Sequence, residues 1–422
     1  MSCIVMTTMG SLGDLHPHLA IARELRQRGH EVVFATHQEY QAYIEGLGFA
    51  FQPMRPDADN GLGDTAEMAR RAMDLTTGTE YVIRDWVCAN LRETYDDLFD
   101  CAKDADLIIT GELVLATRLV AEKLSLPWVL AILQPTSFMS PADPPVIPIF
   151  PFATKIRQLG STFNWGIIQL LKLTTKSLMK PVHQLRRELG LPPITQHPLF
   201  AGKFSPDLNL ALFSAVFAKP QADWAKNVLV TGFTFYDGDR QQLEPRLQQF
   251  LDAGEPPLVF TLGSAAVNVP GDFYAESIKA AKILNSRALL LIGGNPVPPG
   301  LTDDIIAVDY APYSLIFPYA GAIVHQGGIG TTAQALRAGC PTLIVPYSHD
   351  QPDNAARVKR LGTSRTVSRR RYSAELVARE LKELMKIDYQ TKAKKIANQL
   401  QAEDGVNIAC DAIERQLSSR SS

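Results

Sequence analysis

The chain has 422 residues, 46% apolar and 20% charged, enough for two domains that each bury a core of their own. Its 42 basic and 44 acidic residues leave a formal charge of -2, with no basic excess to displace counterions from nucleic acid. No run reaches the ~18 consecutive apolar residues of a membrane span, and the opening MSCIVMTTMG shows no basic leader with a cleavage site.

The first predicted strand is Ile4 to Thr8, followed by the turn MGSLGD, a helix over HPHLAIARELRQRGH closed by Gly29, and the strand EVVFAT. That is a βαβ unit. The apolar stretches DLIIT (Asp106 to Thr110) and PWVLAI (Pro127 to Ile132) flank the helical LATRLVAEKLS and continue the alternation. From Pro257 the rhythm restarts with PLVFTLG, ALLLIGG, IIAVDY, GAIVHQGG and PTLIVPY, each a short apolar strand ending in glycine, polar or aromatic residues. The stretch from Ala374 onward is helical by composition and ends in the polar SSRSS, which predicts a fraying tail. The five cysteines, Cys3, Cys88, Cys101, Cys340 and Cys410, are scattered and lack CxxC spacing, so they predict reduced thiols of a cytoplasmic protein.

The expected architecture is α/β: two doubly wound, Rossmann-like domains facing a central cleft. Residues 1–236 form the first, 237–257 a polar linker, 258–395 the second, and 396–422 a C-terminal helix and tail. Ligands in such sheets bind outside the carboxyl ends of the strands, which puts the site in the cleft.

One stretch concentrates ligand chemistry there. His325 ends a strand, and Gly327, Gly328, Ile329, Gly330, Thr331 and Thr332 lead into a helix stopped by Gly339. Glycines admit an anion close to the backbone, and the first helical amides with the positive dipole end point at it. Asp350 and Gln351 follow the next strand with groups suited to sugar hydroxyls. Each feature has a bland counterpart: a structural turn, a strand-end histidine, a helix start with Pro352 in its first turn. Their joint order along consecutive strand ends points to a nucleotide diphosphate sugar.

HQGGIGTTAQALRAGCP followed by HDQPDNAARV resembles the nucleotide-binding signature of the UDP-glycosyltransferase superfamily, in the form shared by sterol, glycopeptide-antibiotic and rhamnolipid glycosyltransferases. GSLGDLHPHLAIARELRQRGH, LQPTSFMSPADPPVIP, TGFTFYDG and PLVFTLGSAAVNVPGDFY extend the resemblance over nearly the whole chain, the last three being most similar to the rhamnolipid rhamnosyltransferases. The resemblance implies a GT-B fold and an inverting hexosyltransferase that needs no metal or other cofactor. It implies His325 on the α-phosphate, Ser264 and Gly328 to Thr332 around the diphosphate, Gly13 on the opposite wall, and Asp350 and Gln351 on the sugar. The base is expected at Tyr310 and Ala311, and the ribose near Gln334. UDP-glucose and dTDP-rhamnose types of donor both fit.

Inverting transfer also needs a base for the acceptor hydroxyl. In GSLGDLHP the candidates are Asp14 and, by its ordinary titration range, His16. Asp14 is equally suited to capping the helix that follows. The acceptor is expected on the first domain, where Pro144 to Gly190 interleaves Phe150, Phe152, Phe163, Trp165 and Leu170 with Lys155, Arg157, Lys172, Lys176, Lys180, Arg186 and Arg187. Such a pattern fits an apolar, lipid-like acceptor and contact with an anionic membrane surface, or a packed amphipathic helix with a solvated face. Two other readings stay open on sequence: a nucleotide-sugar epimerase on the same fold, and a non-catalytic nucleotide-sugar-binding homologue.

Overall fold

The computed structural model describes residues 1–57, 65–147, 159–238 and 242–419. In the first domain the parallel strands β1 (Cys3–Thr7), β2 (Glu31–Thr36), β3 (Ala50–Pro53), β4 (Leu107–Gly111), β5 (Trp128–Ile132), β6 (Leu208–Ala211) and β7 (Val228–Val230) form one sheet, ordered β3-β2-β1-β4-β5-β6-β7. In the second, β8 (Leu258–Thr261), β9 (Ala288–Leu291), β10 (Ile305–Val308), β11 (Ala322–His325), β12 (Thr342–Ile344) and β13 (Ser364–Thr366) are ordered β10-β9-β8-β11-β12-β13. The central strands are apolar runs because helices cover both faces of each sheet: every residue of β4, β5 and β11 is buried.

Both sheets reverse direction at their first strand, so one switch point lies between β1 and β4 and the other between β8 and β11. These two crevices position everything that follows.

Two expectations on organisation change, and the expected C-terminal helix takes a position that the sequence did not specify. The first helix runs Leu12–Gln27, starting inside the stretch expected to be a turn, because Ser11 caps it and Asp14 completes a capping box. The expected linker contains a helix, Pro245–Asp252, whose Leu247, Phe250 and Leu251 are buried in the second domain's core. The C-terminal helix Gly405–Ser418 crosses back to the first domain, burying Ala409, Cys410 and Ile413 in one core cluster with Leu19 and Ile21. Arg28 fastens it with bonds of 2.6 Å to Asp411 and 2.7 Å to Glu414. The polar end from Arg420 lies outside the described residues.

The domains also interlock at the cleft rim. Met73 of the first domain is buried in a core cluster of the second. Beside it, the Ser348 hydroxyl donates to the Asp74 carbonyl (2.8 Å), and His349 Nδ1 lies 3.0 Å from the Thr79 hydroxyl.

Candidate active site

On the first domain the loop after β1 is built around Gly10, at φ +124°, where a methyl group would fall 2.3 Å from Asp14 Oδ2. Only glycine fits under that carboxylate. The Gly10 amide donates to His37 Nε2 (3.2 Å), so the His37 proton sits on Nδ1 and is donated to the Pro56 carbonyl (2.6 Å). The Tyr40 hydroxyl donates to the Gly10 carbonyl (3.0 Å). Asp14 Oδ2 accepts the Ser11 amide (2.9 Å), and the Ser11 hydroxyl also bonds the carboxylate. Burial pushes the Asp14 carboxyl up to about 6, and the Glu112 charge adds to the rise.

His16, two residues on, lies about 200° further around the helix. Its ring packs against Tyr236 (centroids 5.1 Å apart) and Tyr43 (6.4 Å), and burial pushes it down to about 4. His16, the alternative candidate for the base, thus packs against aromatic rings on another side of the helix from Asp14. His18 is the histidine bound to this turn: buried, its Nδ1 donates to the Asp14 carbonyl (2.8 Å). Pro17 has no amide hydrogen, so the Gly13 carbonyl lacks its helical partner at the mouth of the cleft. From the other side of the switch point, after β4, Glu112 accepts from Lys203 Nζ (3.0 Å), Gln134 Nε2 (3.1 Å) and the Ser137 hydroxyl.

On the second domain the loop after β11 faces this wall. The Gly327 amide donates to His325 Nδ1 (3.1 Å), which puts the imidazole proton on Nε2. That Nε2 is buried without a hydrogen-bond partner among the described residues, and burial pushes the ring down to about 3. Gln326 Oε1, Thr332 Oγ1 and Asn354 Oδ1 are buried and unpartnered beside it. A buried polar atom left without a protein partner is available to a polar ligand atom, and His325 Nε2 is one such atom at the end of β11. Gly327 has φ +92°, and a methyl group there would fall 2.8 Å from Ile344 Cγ2.

The helix Ile329–Arg337 begins at Gly328 with no side chain capping it, so its first amides remain for an anion. A methyl group on Gly330 would lie 4.0 Å from Gly13 Cα, which brings two helix N-termini face to face. Thr331 joins the bond network of Tyr313, whose hydroxyl lies 2.8 Å from that of Thr261. The Ile329 side chain packs against core clusters that include the first domain's residues, while its backbone forms the first turn of the helix.

The remaining expected residues divide. Ser264 is exposed on the turn after β8, where Gly263 (φ +65°) leaves no room for a methyl beside Gln326. Tyr310 is 60% exposed after β10, and Ala311 is buried behind it. Gln334 donates to Asp237 Oδ1 (3.3 Å), a carboxylate also held by Arg337 (2.7 Å), so its amide nitrogen is engaged and its oxygen faces outward from that bond. Asp350 precedes the helix Gln351–Leu361 and accepts from Asn354 Nδ2 (2.6 Å). Burial pushes its carboxyl up to about 7, with the Asp14 charge contributing. Gln351 Oε1 takes the amides of Tyr347 (2.8 Å) and Ser348 (3.1 Å), so only the Gln351 amide nitrogen remains for a substrate.

Two Rossmann-like domains with opposed switch points, one presenting a half-buried carboxylate and the other an uncapped helix N-terminus beside an unpartnered imidazole, define a GT-B glycosyltransferase. Residues 4–135 match the glycosyltransferase family 28 N-terminal domain, and residues 295–411 match the C-terminal domain of the erythromycin biosynthesis protein CIII-like family. The chain is 31% identical over 436 residues to O-mycaminosyltylonolide 6-deoxyallosyltransferase of Streptomyces fradiae, covering 99% of this chain and 98% of that one. It is 29% identical over 440 residues to sterol 3-beta-glucosyltransferase of Neurospora crassa, where the match covers 98% of this chain and 27% of that longer protein. Among solved structures, the glycotransferase of kitacinnamycin superposes with a TM-score of 0.71 at 22% identity over 98% of both chains. Glycosyltransferase VinC in complex with dTDP does so with a TM-score of 0.69 at 19% identity, over 99% of this chain and 100% of that one. The chain belongs to the UDP-glycosyltransferase superfamily and is a glycosyltransferase.

Proposed function

We propose that the enzyme transfers a hexose with inversion from a UDP- or dTDP-linked donor to a hydroxyl of an apolar, polycyclic or macrocyclic acceptor. The observation that carries this is the opposition of Asp14 to the unpartnered His325 Nε2 and the uncapped Ile329–Arg337 helix. In this scheme the diphosphate lies on the Gly328 to Thr332 turn, His325 Nε2 donates to it, and the leaving charge is met by helix amides without a metal ion. Asp350 and the Gln351 amide hold the sugar, Tyr310 flanks the base, and the Asp14 carboxylate removes the acceptor proton as the anomeric bond forms. The 6-deoxyhexosyl and glucosyl transfers named for the macrolide and sterol relatives support a hexose. Neighbours solved with thymidine diphosphate favour dTDP.

A thermal-shift panel of UDP- and dTDP-sugars tests the donor, because a ligand that binds only the folded state raises the melting temperature with its occupancy. At least one donor should raise it by several degrees at millimolar concentration. No response to any of them would remove the reading.

We also propose that the enzyme works in the cytoplasm and attaches peripherally to the membrane through the helix Ser161–Thr175. Phe163, Leu170 and Leu173 share one exposed side of it, Trp165 is exposed on another side about 160° from Phe163, and Lys176 and Lys180 are exposed just beyond its end. Arg186 supports this less than its position in sequence suggests, since it is buried against Glu122 and the Pro192 carbonyl. Phe150, Phe152, Lys155 and Arg157 lie outside the described residues. None of the helices among the described residues is long and apolar enough to cross a membrane. Sedimentation should show binding to anionic vesicles at low salt that declines at high salt. Absence of binding at low salt would leave the helix an ordinary surface element.

A further inference from the structure

The helix Gln351–Leu361 carries more than the sugar end of the cleft. Asp353 and Arg357, in the turns after Asp350 and Gln351, are buried and face the first domain. Arg357 Nε donates to Asp353 Oδ2 (2.6 Å) on its own helix, and Arg357 Nη1 reaches across to Asp143 Oδ2 (2.5 Å) on the segment after β5. The same segment gives Asp353 two further bonds, from the Val146 amide (3.0 Å) and the Thr136 hydroxyl (3.4 Å). Arg357 is thus a buried cation between two buried aspartates across the domains, and the exposed Arg360 stands 3.8 Å from Asp143 at the edge of the contact.

This contact is tied to the substrate wall within one helical turn. Asn354, adjacent to Asp353, donates both to Asp350 (2.6 Å) and to the carbonyl of Gly327 in the diphosphate loop (2.9 Å). Thr136 in turn lies beside Gln134 and Ser137, which hold Glu112 near Asp14.

We infer that Asp143, Arg357 and Asp353 form an interdomain clasp of positioning residues that sets the acceptor-side segment 134–147 in register with the donor-sugar carboxylate Asp350. The inference rests on the proposed donor and acceptor halves of the cleft. None of the three clasp residues touches substrate. Their effect is on where the acceptor hydroxyl lies relative to the anomeric carbon, a step in which misplacement by about 1 Å can cost roughly 100-fold in rate.

Asp143→Ala is the first test, because it leaves Arg357 paired with Asp353 and the helix intact. Amide hydrogen exchange should quicken at least tenfold at Val146, whose amide is bonded to Asp353, and at Ile147, while the dissociation constant for dTDP changes less than threefold. With any acceptor the wild type uses, the acceptor KM should rise and kcat/KM fall at least thirtyfold. Asp143→Asn, which keeps an oxygen for Arg357, should recover most of that loss. Unchanged exchange at Val146 and Ile147 would overturn the clasp whether or not an acceptor has been found, which separates its failure from failure of the proposed reaction. A loss of dTDP affinity in proportion to the loss of transfer would also overturn it, since that is what general loosening of the fold produces.

Discussion

Asp14→Asn lowers turnover by about 100-fold or more, the scale of removing a general base, while the affinity for nucleotide sugar stays within a few-fold of wild type. The substitution keeps an oxygen to accept the Ser11 amide, so the capping box that starts the Leu12–Gln27 helix survives. What it removes is the ability to take a proton. The pH profile carries the same information. Burial holds the Asp14 carboxyl near 6, and a base acts only when deprotonated, so the wild-type rate should rise with pH through about 6 and level off above 7. The Asn variant should lose that rise. His16→Ala should cost far less, since its ring is packed against Tyr236 and Tyr43. If His16→Ala silences the enzyme and Asp14→Asn does not, the base has been assigned to the wrong side of the helix.

His325→Ala weakens nucleotide binding with the fold intact. The lost bond runs from a buried neutral imidazole to a charged phosphate oxygen, worth about 1.5–3 kcal/mol, or roughly 10- to 150-fold in affinity. The fold should tolerate the change because, among the described residues, His325 Nε2 has no hydrogen-bond partner to lose, and Nδ1 accepts from the Gly327 amide only two residues away. Calorimetric titration with dTDP measures the effect. Unchanged affinity would place the diphosphate elsewhere.

Much of this site was legible in the sequence because its logic is local. A strand, a glycine cluster and a helix written consecutively oblige His325, Gly327 and Gly328 to converge on one strand end, and the same holds for Gly10 and Asp14 after β1. What sequence did not carry is which way a side chain turns once the helix start is fixed. The capping box moved that start to Leu12, and in the helix so begun His16 packs against Tyr43 and Tyr236 while His18 bonds the Asp14 carbonyl. Gln351 illustrates a second limit: it follows β12 as expected, yet its oxygen closes its own loop through Tyr347 and Ser348. Contacts between distant segments were invisible. Asp143 and Arg357 are 214 positions apart, Gln334 meets Asp237 across 97, and the return of the C-terminal helix to Leu19 and Ile21 has no local signature.

The anomeric configuration of the first product tests the central claim most directly, because a single displacement across the cleft with Asp14 as base can only invert. With whichever α-linked nucleotide sugar the chain binds, the proton coupling of the anomeric centre in early product should report a β-glycoside. An α-glycoside formed under the same conditions would contradict the account, since retention needs a different arrangement of groups from the opposition of Asp14 and His325 described above.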